Sequence, residues 1–94
     1  MVFIGELNID FHLYGCTSLK EKRRRLSGLK DRFGTTTNIA TCEHSQHDLH
    51  DSAVWTFVAI STDKSIIESL LNKVTDHCRQ NVDATIIDHK LQWL

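Results

Sequence analysis

No proline interrupts this chain, and it has no low-complexity or Gly/Ser-rich tract that could act as an interdomain linker. Residues 1–94 therefore read as a single domain, just large enough for one core. No apolar run approaches the ~20 residues of a membrane-spanning helix, which argues against a membrane protein of that kind. Cysteine is scarce: Cys16, Cys42 and Cys78 are odd in number, widely spaced and without a CxxC, a pattern of free thiols rather than a disulfide framework. The N-terminus leads straight into an alternating pattern, without the basic and apolar regions of a secretory signal. A cytoplasmic location is the expectation.

A large net charge is also missing. The formal value is −1, yet residues 1–34 hold seven Lys/Arg against four Asp/Glu, while residues 35–94 hold four against eight. Segregation of this kind points to a basic face for nucleic acid or another acidic partner, or to internal pairing.

What is present begins with a period of two over residues 2–13. Phe3, Leu7, Ile9, Phe11 and Leu13 fall on one side, with Glu6, Asn8, Asp10 and His12 on the other: a half-buried strand. Gly15 breaks it. From Ser18 to Phe33 the spacing turns helical, with Leu19, Leu26, Leu29 and Phe33 as the stripe and Gly34 as the stop. Ser18 and Glu21 stand at capping-box spacing. Lys20, Lys22, Arg23, Arg24 and Arg25 place five cations in the first two turns, against the helix dipole. Charge set against the local field implies a purpose outside the helix. Lys22 projects into the apolar stripe near Leu26 and Leu29. A lysine there either snorkels out or meets an acid.

The β-branched run from Thr35 to Glu43 predicts a second strand, and the polar, histidine-rich residues 44–52 a connection. Ala53–Ser61 is apolar on both faces: Val54, Val58 and Ile60 point one way, Trp55 and Phe57 the other. This describes a central strand covered on both sides or stuck to a partner. A second helix starts at Thr62 or Asp63 and buries Ile66, Ile67, Leu70, Leu71, Val74 and Cys78. A last strand occupies residues 84–93. The order β-α-β-β-α-β predicts an α+β, ferredoxin-like fold, with a four-stranded antiparallel sheet of order 4-1-3-2 and both helices on one face. Its connectivity gathers residues 14–17, 44–52 and 80–83 at one polar end beside the basic helix start. Glu43 or an acid of the hairpin then becomes the expected partner of Lys22.

The string Ser18-Leu19-Lys20-Glu21-Lys22-Arg23-Arg24 follows a strand and a Gly-containing turn. With Asn38, Glu43, the Asp48-Leu49 pair and Ser61-Thr62-Asp63, it resembles the YlxP-like family of small bacterial proteins (domain of unknown function 503) over nearly the whole chain. The resemblance implies a ferredoxin-like fold, a cytoplasmic bacterial protein and no established catalysis. It also implies a link to RNA or the ribosome, because genes of this family often lie among those for translation initiation and ribosome maturation.

Four candidate sites follow. The helix start, Ser18, Lys20, Lys22, Arg23, Arg24 and Arg25, is a candidate for anion or nucleic-acid binding. No RNA-recognition-motif string is present, so contact with RNA would be electrostatic and shape-led. Cys42, His44, His47 and His50 are candidate metal ligands, although their spacing matches no established zinc pattern and alternate strand residues diverge. Cys16, just before a helix start and within possible reach of His12 or His44, is a candidate nucleophile. The candidate interface residues on the outer sheet face are, depending on register, either Trp55 and Phe57 or Val58 with Val54 and Ile60, implying a homodimer; aromatic side chains there could also stack on single-stranded RNA. The preferred expectation is a non-enzymatic interaction module without a cofactor. The alternative is a small enzyme or metal-binding protein using the histidine-rich hairpin and Cys16.

Overall fold

The structure, a computed structural model, describes residues 1–94. Its elements run β1 (Phe3–His12), α1 (Leu19–Phe33), β2 (Ile39–Ser45), β3 (Ser52–Ser61), α2 (Lys64–Asn81) and β4 (Thr85–Trp93). They form one antiparallel sheet in the order β2-β3-β1-β4. This is the expected ferredoxin-like order read from the other edge.

Local chemistry sets most of the boundaries. Ser18 caps α1, its Oγ accepting from the Glu21 N–H at 3.1 Å. Asp63 caps α2 by accepting from the Ser65 N–H at 2.9 Å. Gly15 makes the turn before α1 with φ +72°, a value that suits glycine. The second strand begins later than its β-branched sequence predicts. Thr36 Oγ1 donates to the Arg32 carbonyl at 2.8 Å, so the threonine run closes off the end of α1 in a turn instead of starting the strand. The chain then turns at Asn38, whose φ is +73° and whose side chain donates to the Ile60 carbonyl at 2.9 Å. Hydroxyl groups that can satisfy free helix carbonyls outweigh strand propensity at this point.

Register decides which face of each strand is inside. Trp55 pairs with Ile9 and Phe57 with Leu7, so both aromatic residues join the helix-covered face. The 16-residue core there includes Leu7, Ile9, Phe11, Leu26, Leu29, Phe57, Ile67, Leu71, Val74 and Cys78. Gly5 permits a close approach of α2, because a Cβ at that position would lie 2.6 Å from Ile67 Cγ2. Ile66, expected in the buried stripe, is exposed, and Thr75 is buried with it instead. Val54, Thr56, Val58 and Ile60 point to the uncovered face.

Candidate functional site

At the polar end, α1 divides its own cations. Lys22 is buried, at 4% exposure. Its Nζ donates to the carbonyls of Gln46 (2.9 Å) and Leu49 (2.8 Å) and lies 3.0 Å from Glu43 Oε2. It therefore ties the β2–β3 hairpin to the helix. Arg25 does the same for the other two connections. Its Nε donates to the Asp83 carbonyl at 2.8 Å and Nη1 to the Tyr14 carbonyl at 3.0 Å, with Asp83 Oδ2 at 3.2 Å. The first turn also carries its own anion: Glu21 Oε2 accepts from the Thr17 N–H at 3.0 Å. That N–H, followed by the Cys16 thiol and by Arg25 and Arg24, holds the Glu21 carboxyl below its usual range.

These contacts correct the anion-binding assignment for half of its members. Ser18 is a cap, while Lys22 and Arg25 are structural ties whose donors face backbone carbonyls. Lys20, Arg23 and Arg24 remain exposed. Arg24 reaches Glu21 only at 3.7 Å and is 76% exposed, a contact of little energetic weight. Lys30, seven residues beyond Arg23 and so on nearly the same helix face, continues the exposed basic stripe. The sequence reading missed Lys30, although its spacing from Arg23 could have revealed it.

Beside this stripe, a groove of about 480 Å³ runs between α1 and β2. Arg23, Leu26 and Lys30 line the helix side, Thr41 and Glu43 the strand side, with Trp55 also on its wall. Thr41 and Glu43 reach it because their β3 partners, Phe57 and Trp55, point inward. Thr41 Oγ1, Glu43 Oε2 and Trp55 Nε1 are buried and accept or donate no hydrogen bond. Glu43 Oε2 is close enough to Lys22 for charge attraction, but the approach lacks hydrogen-bond geometry. Each unsatisfied buried polar group costs about 1–3 kcal/mol; Thr41 Oγ1 and Trp55 Nε1 are two such groups behind the groove wall, while Glu43 Oε2 is compensated by the Lys22 ammonium.

The remaining candidates are not assembled. Cys42 and His44 lie on β2 with their side chains exposed, His44 Nδ1 sits 3.2 Å from Thr56 Oγ1, and His47 Nε2 lies 3.3 Å from the Glu43 carbonyl. His50 is exposed in the hairpin, and no three His, Cys, Asp or Glu side chains converge in a metal-holding group. Cys16 is buried in the core, its thiol donating to the Ser18 carbonyl at 3.4 Å. His12 instead packs edge-on against Tyr14 at 4.2 Å between ring centroids. Of the interface candidates, Trp55 and Phe57 are corrected: both are core residues at 8% and 0% exposure. Val58 faces outward. Around it that face is mixed: Val54 and Ile60 share the strand, while Thr56 donates to Asn8 (2.6 Å) and Asn8 and Gln92 both donate to Glu6 (2.8 Å each).

The fold and this end of it define a ferredoxin-like α+β domain with a basic helix face bordering a polar groove. The chain belongs to the family described as "Protein of unknown function (DUF503)", matched over residues 4–91. No curated protein matches it. Among solved structures it resembles TA0507, a chlorite dismutase candidate, with a TM-score of 0.61 and 7% identity; 97% of this chain is covered but only 43% of that one. It also resembles SnoaB, a cofactor-independent oxygenase from Streptomyces nogalater (TM-score 0.57, 17% identity, 96% and 90% of the two chains). The de novo designed protein Foldit4 is similar as well (TM-score 0.58, 9% identity, 100% and 97%). At these identities the likeness concerns the fold. No helix is long and apolar enough to cross a membrane.

Proposed function

We propose that this protein is a non-enzymatic cytoplasmic module that binds RNA, free or in the ribosome, through the solvent face of α1. The YlxP-like bacterial group is its place within the family on this reading. The observation behind the proposal is the division of the helix cations. Lys22 and Arg25 bond to backbone carbonyls, whereas Lys20, Arg23, Arg24 and Lys30 stay exposed along one side. A stripe of this kind matches consecutive phosphates, and its binding energy comes from counterion release.

The test is fluorescence anisotropy with a labelled single-stranded RNA across a salt series. The triple variant Lys20→Gln/Arg23→Gln/Arg24→Gln should bind more weakly and lower the log–log salt slope by about 2, with an unchanged melting temperature. Parental affinity and slope in that variant would refute the reading.

A further inference from the structure

β4 is an edge strand, paired only with β1. One bond shows which of its backbone groups stay free. The Leu94 N–H donates to the Ile4 carbonyl at 2.9 Å. Antiparallel ladders alternate, so Gln92, Lys90 and Asp88 also turn their N–H and C=O toward β1. His89, Leu91 and Trp93 turn theirs to the open edge. The strand runs for nine residues and carries Ile87, Leu91 and Trp93 with exposures of 62%, 38% and 37%. A bare edge of this length, with apolar side chains, is a template for another strand.

Charge on β4 is left unbalanced as well. Asp88 stands directly opposite Asp10 of β1, a like-charge pair that weakens a sheet. Neither aspartate forms an ion pair within the chain, and neither does Lys90. A strand that fits here brings a cation beside Asp88 and an anion beside Lys90. β4 itself does so when reversed. With His89 on a two-fold axis, Asp88 faces the second copy's Lys90 and Ile87 faces the second copy's Leu91. This register joins residues whose free backbone groups point to the edge, as the ladder requires. Moving the axis one residue either way sets Asp88 against Asp88 or Lys90 against Lys90. On the helix side Arg79 Nη2 lies 3.2 Å from His89 Nε2. Arginine only donates, so the ring accepts and two uncharged imidazoles meet at the axis.

We infer that the protein forms a two-fold dimer in which β4 pairs antiparallel with β4 of a second copy, extending the sheet across both and fixing its register with reciprocal Asp88–Lys90 pairs. The dimer leaves the basic stripe of α1 free, because α1 flanks β2 at the opposite edge of the sheet. It does not depend on the RNA-binding reading.

Sedimentation equilibrium tests the pairing. The parent should be a dimer at micromolar concentration. Asp88→Lys sets lysines opposite each other across the joint, and Lys90→Asp sets aspartates there. Each should weaken association about tenfold or more. The exchanged chain, Asp88→Lys with Lys90→Asp, should dimerise like the parent. An equimolar mixture of the two single variants should form a one-to-one heterodimer. A parent that stays monomeric refutes the proposal and leaves the edge to a strand of another protein. Single variants that remain dimeric put the contact elsewhere, such as the outer sheet face, and overturn it too. Association lost without rescue in the exchanged chain and in the mixture overturns the register, and with it the proposal. Should a variant fail to fold, amide hydrogen exchange in the parent decides. The N–H groups of His89 and Leu91 should exchange slowly in concentrated solution and faster on dilution; exchange that ignores concentration refutes the pairing.

Discussion

Replacing Lys22 with Met tests the tie that holds the hairpin to α1. Met matches the volume of the lysine stem but supplies no donor. The carbonyls of Gln46 and Leu49 lose charged partners at 2.9 and 2.8 Å, and Glu43 Oε2, already without a hydrogen bond, loses its only nearby cation. A hydrogen bond to a charged group is worth about 1.5–3 kcal/mol, and orphaning one member of a buried pair about 3–5. Two features reduce the sum. The carbonyls lie in an exposed loop that can turn them to water, and Glu43 is 27% exposed. The net loss should be about 2–4 kcal/mol, or a fall in melting temperature of roughly 10–30 °C for a domain of this size. Adding Glu43→Leu should recover about 1–2 kcal/mol and no more, since the two carbonyls stay unpaired. Urea unfolding followed by tryptophan fluorescence measures both steps. Proteolysis should in addition cut the hairpin of the single variant faster. A single variant within 0.5 kcal/mol of the parent, a margin of about the usual surface-mutation scatter, would refute the tie. Full recovery in the double variant would refute the part assigned to the carbonyls.

Three further outcomes follow from the geometry. Ser18→Ala removes the acceptor of the Glu21 N–H and should cost about 1 kcal/mol, measured by the same unfolding. Cys42 is exposed whereas Cys16 and Cys78 are buried, and burial pushes the Cys78 thiol up to about 12. A thiol reagent at pH 8 should therefore modify one cysteine quickly and the other two only on unfolding; rapid modification of Cys78 would contradict the packing of α2 on the sheet. Stability should decline in two stages on acidification. Desolvation, followed by repulsion from Arg32, lowers the His77 pKa, so the unfolded chain takes up that proton first and stability starts to fall as the pH drops through the ordinary value of 6.5. The carboxyls of Glu21 and Asp63 are held below their ordinary values of 4.5 and 3.8 by Thr17 and Ser65 contacts. Their contribution is complete above those values and disappears as the pH falls through the lower folded ones. Glu21→Gln should flatten the acidic stage alone, and a melting-temperature series from pH 7 to 3 would reveal an unchanged profile if the cap were idle.

The sequence by itself determined the order of the six elements, the cap at Ser18 and most of the buried stripes of both helices, because these follow from short-range periodicity and local hydrogen bonding; the choice of Asp63 over Thr62 as the second cap and the exchange of Ile66 for Thr75 came with the fold. It also pointed to Glu43 or an acid of the hairpin as the partner of Lys22, since ferredoxin-like connectivity leaves the second strand's end beside the first turns of α1, and the fold selected Glu43. Tertiary structure decided the rest. β3 is apolar at every other position on both sides, so its own pattern could not say whether Trp55 and Phe57 or Val54 and Val58 were inside. Pairing with Ile9 and Leu7 on β1 did. Five consecutive-looking cations in α1 differ only in the direction of their side chains around the helix. Lys22 and Arg25 found carbonyls brought in from residues 14, 46, 49 and 83, and only the folded chain could show that Lys20, Arg23, Arg24 and Lys30 were left exposed. The groove was hidden for the same reason. Thr41, Glu43 and Trp55 are unremarkable strand residues until the β2–β3 register turns all three toward α1, where Lys22 meets Glu43 and the Thr41 hydroxyl and the Trp55 indole N–H are left without a partner.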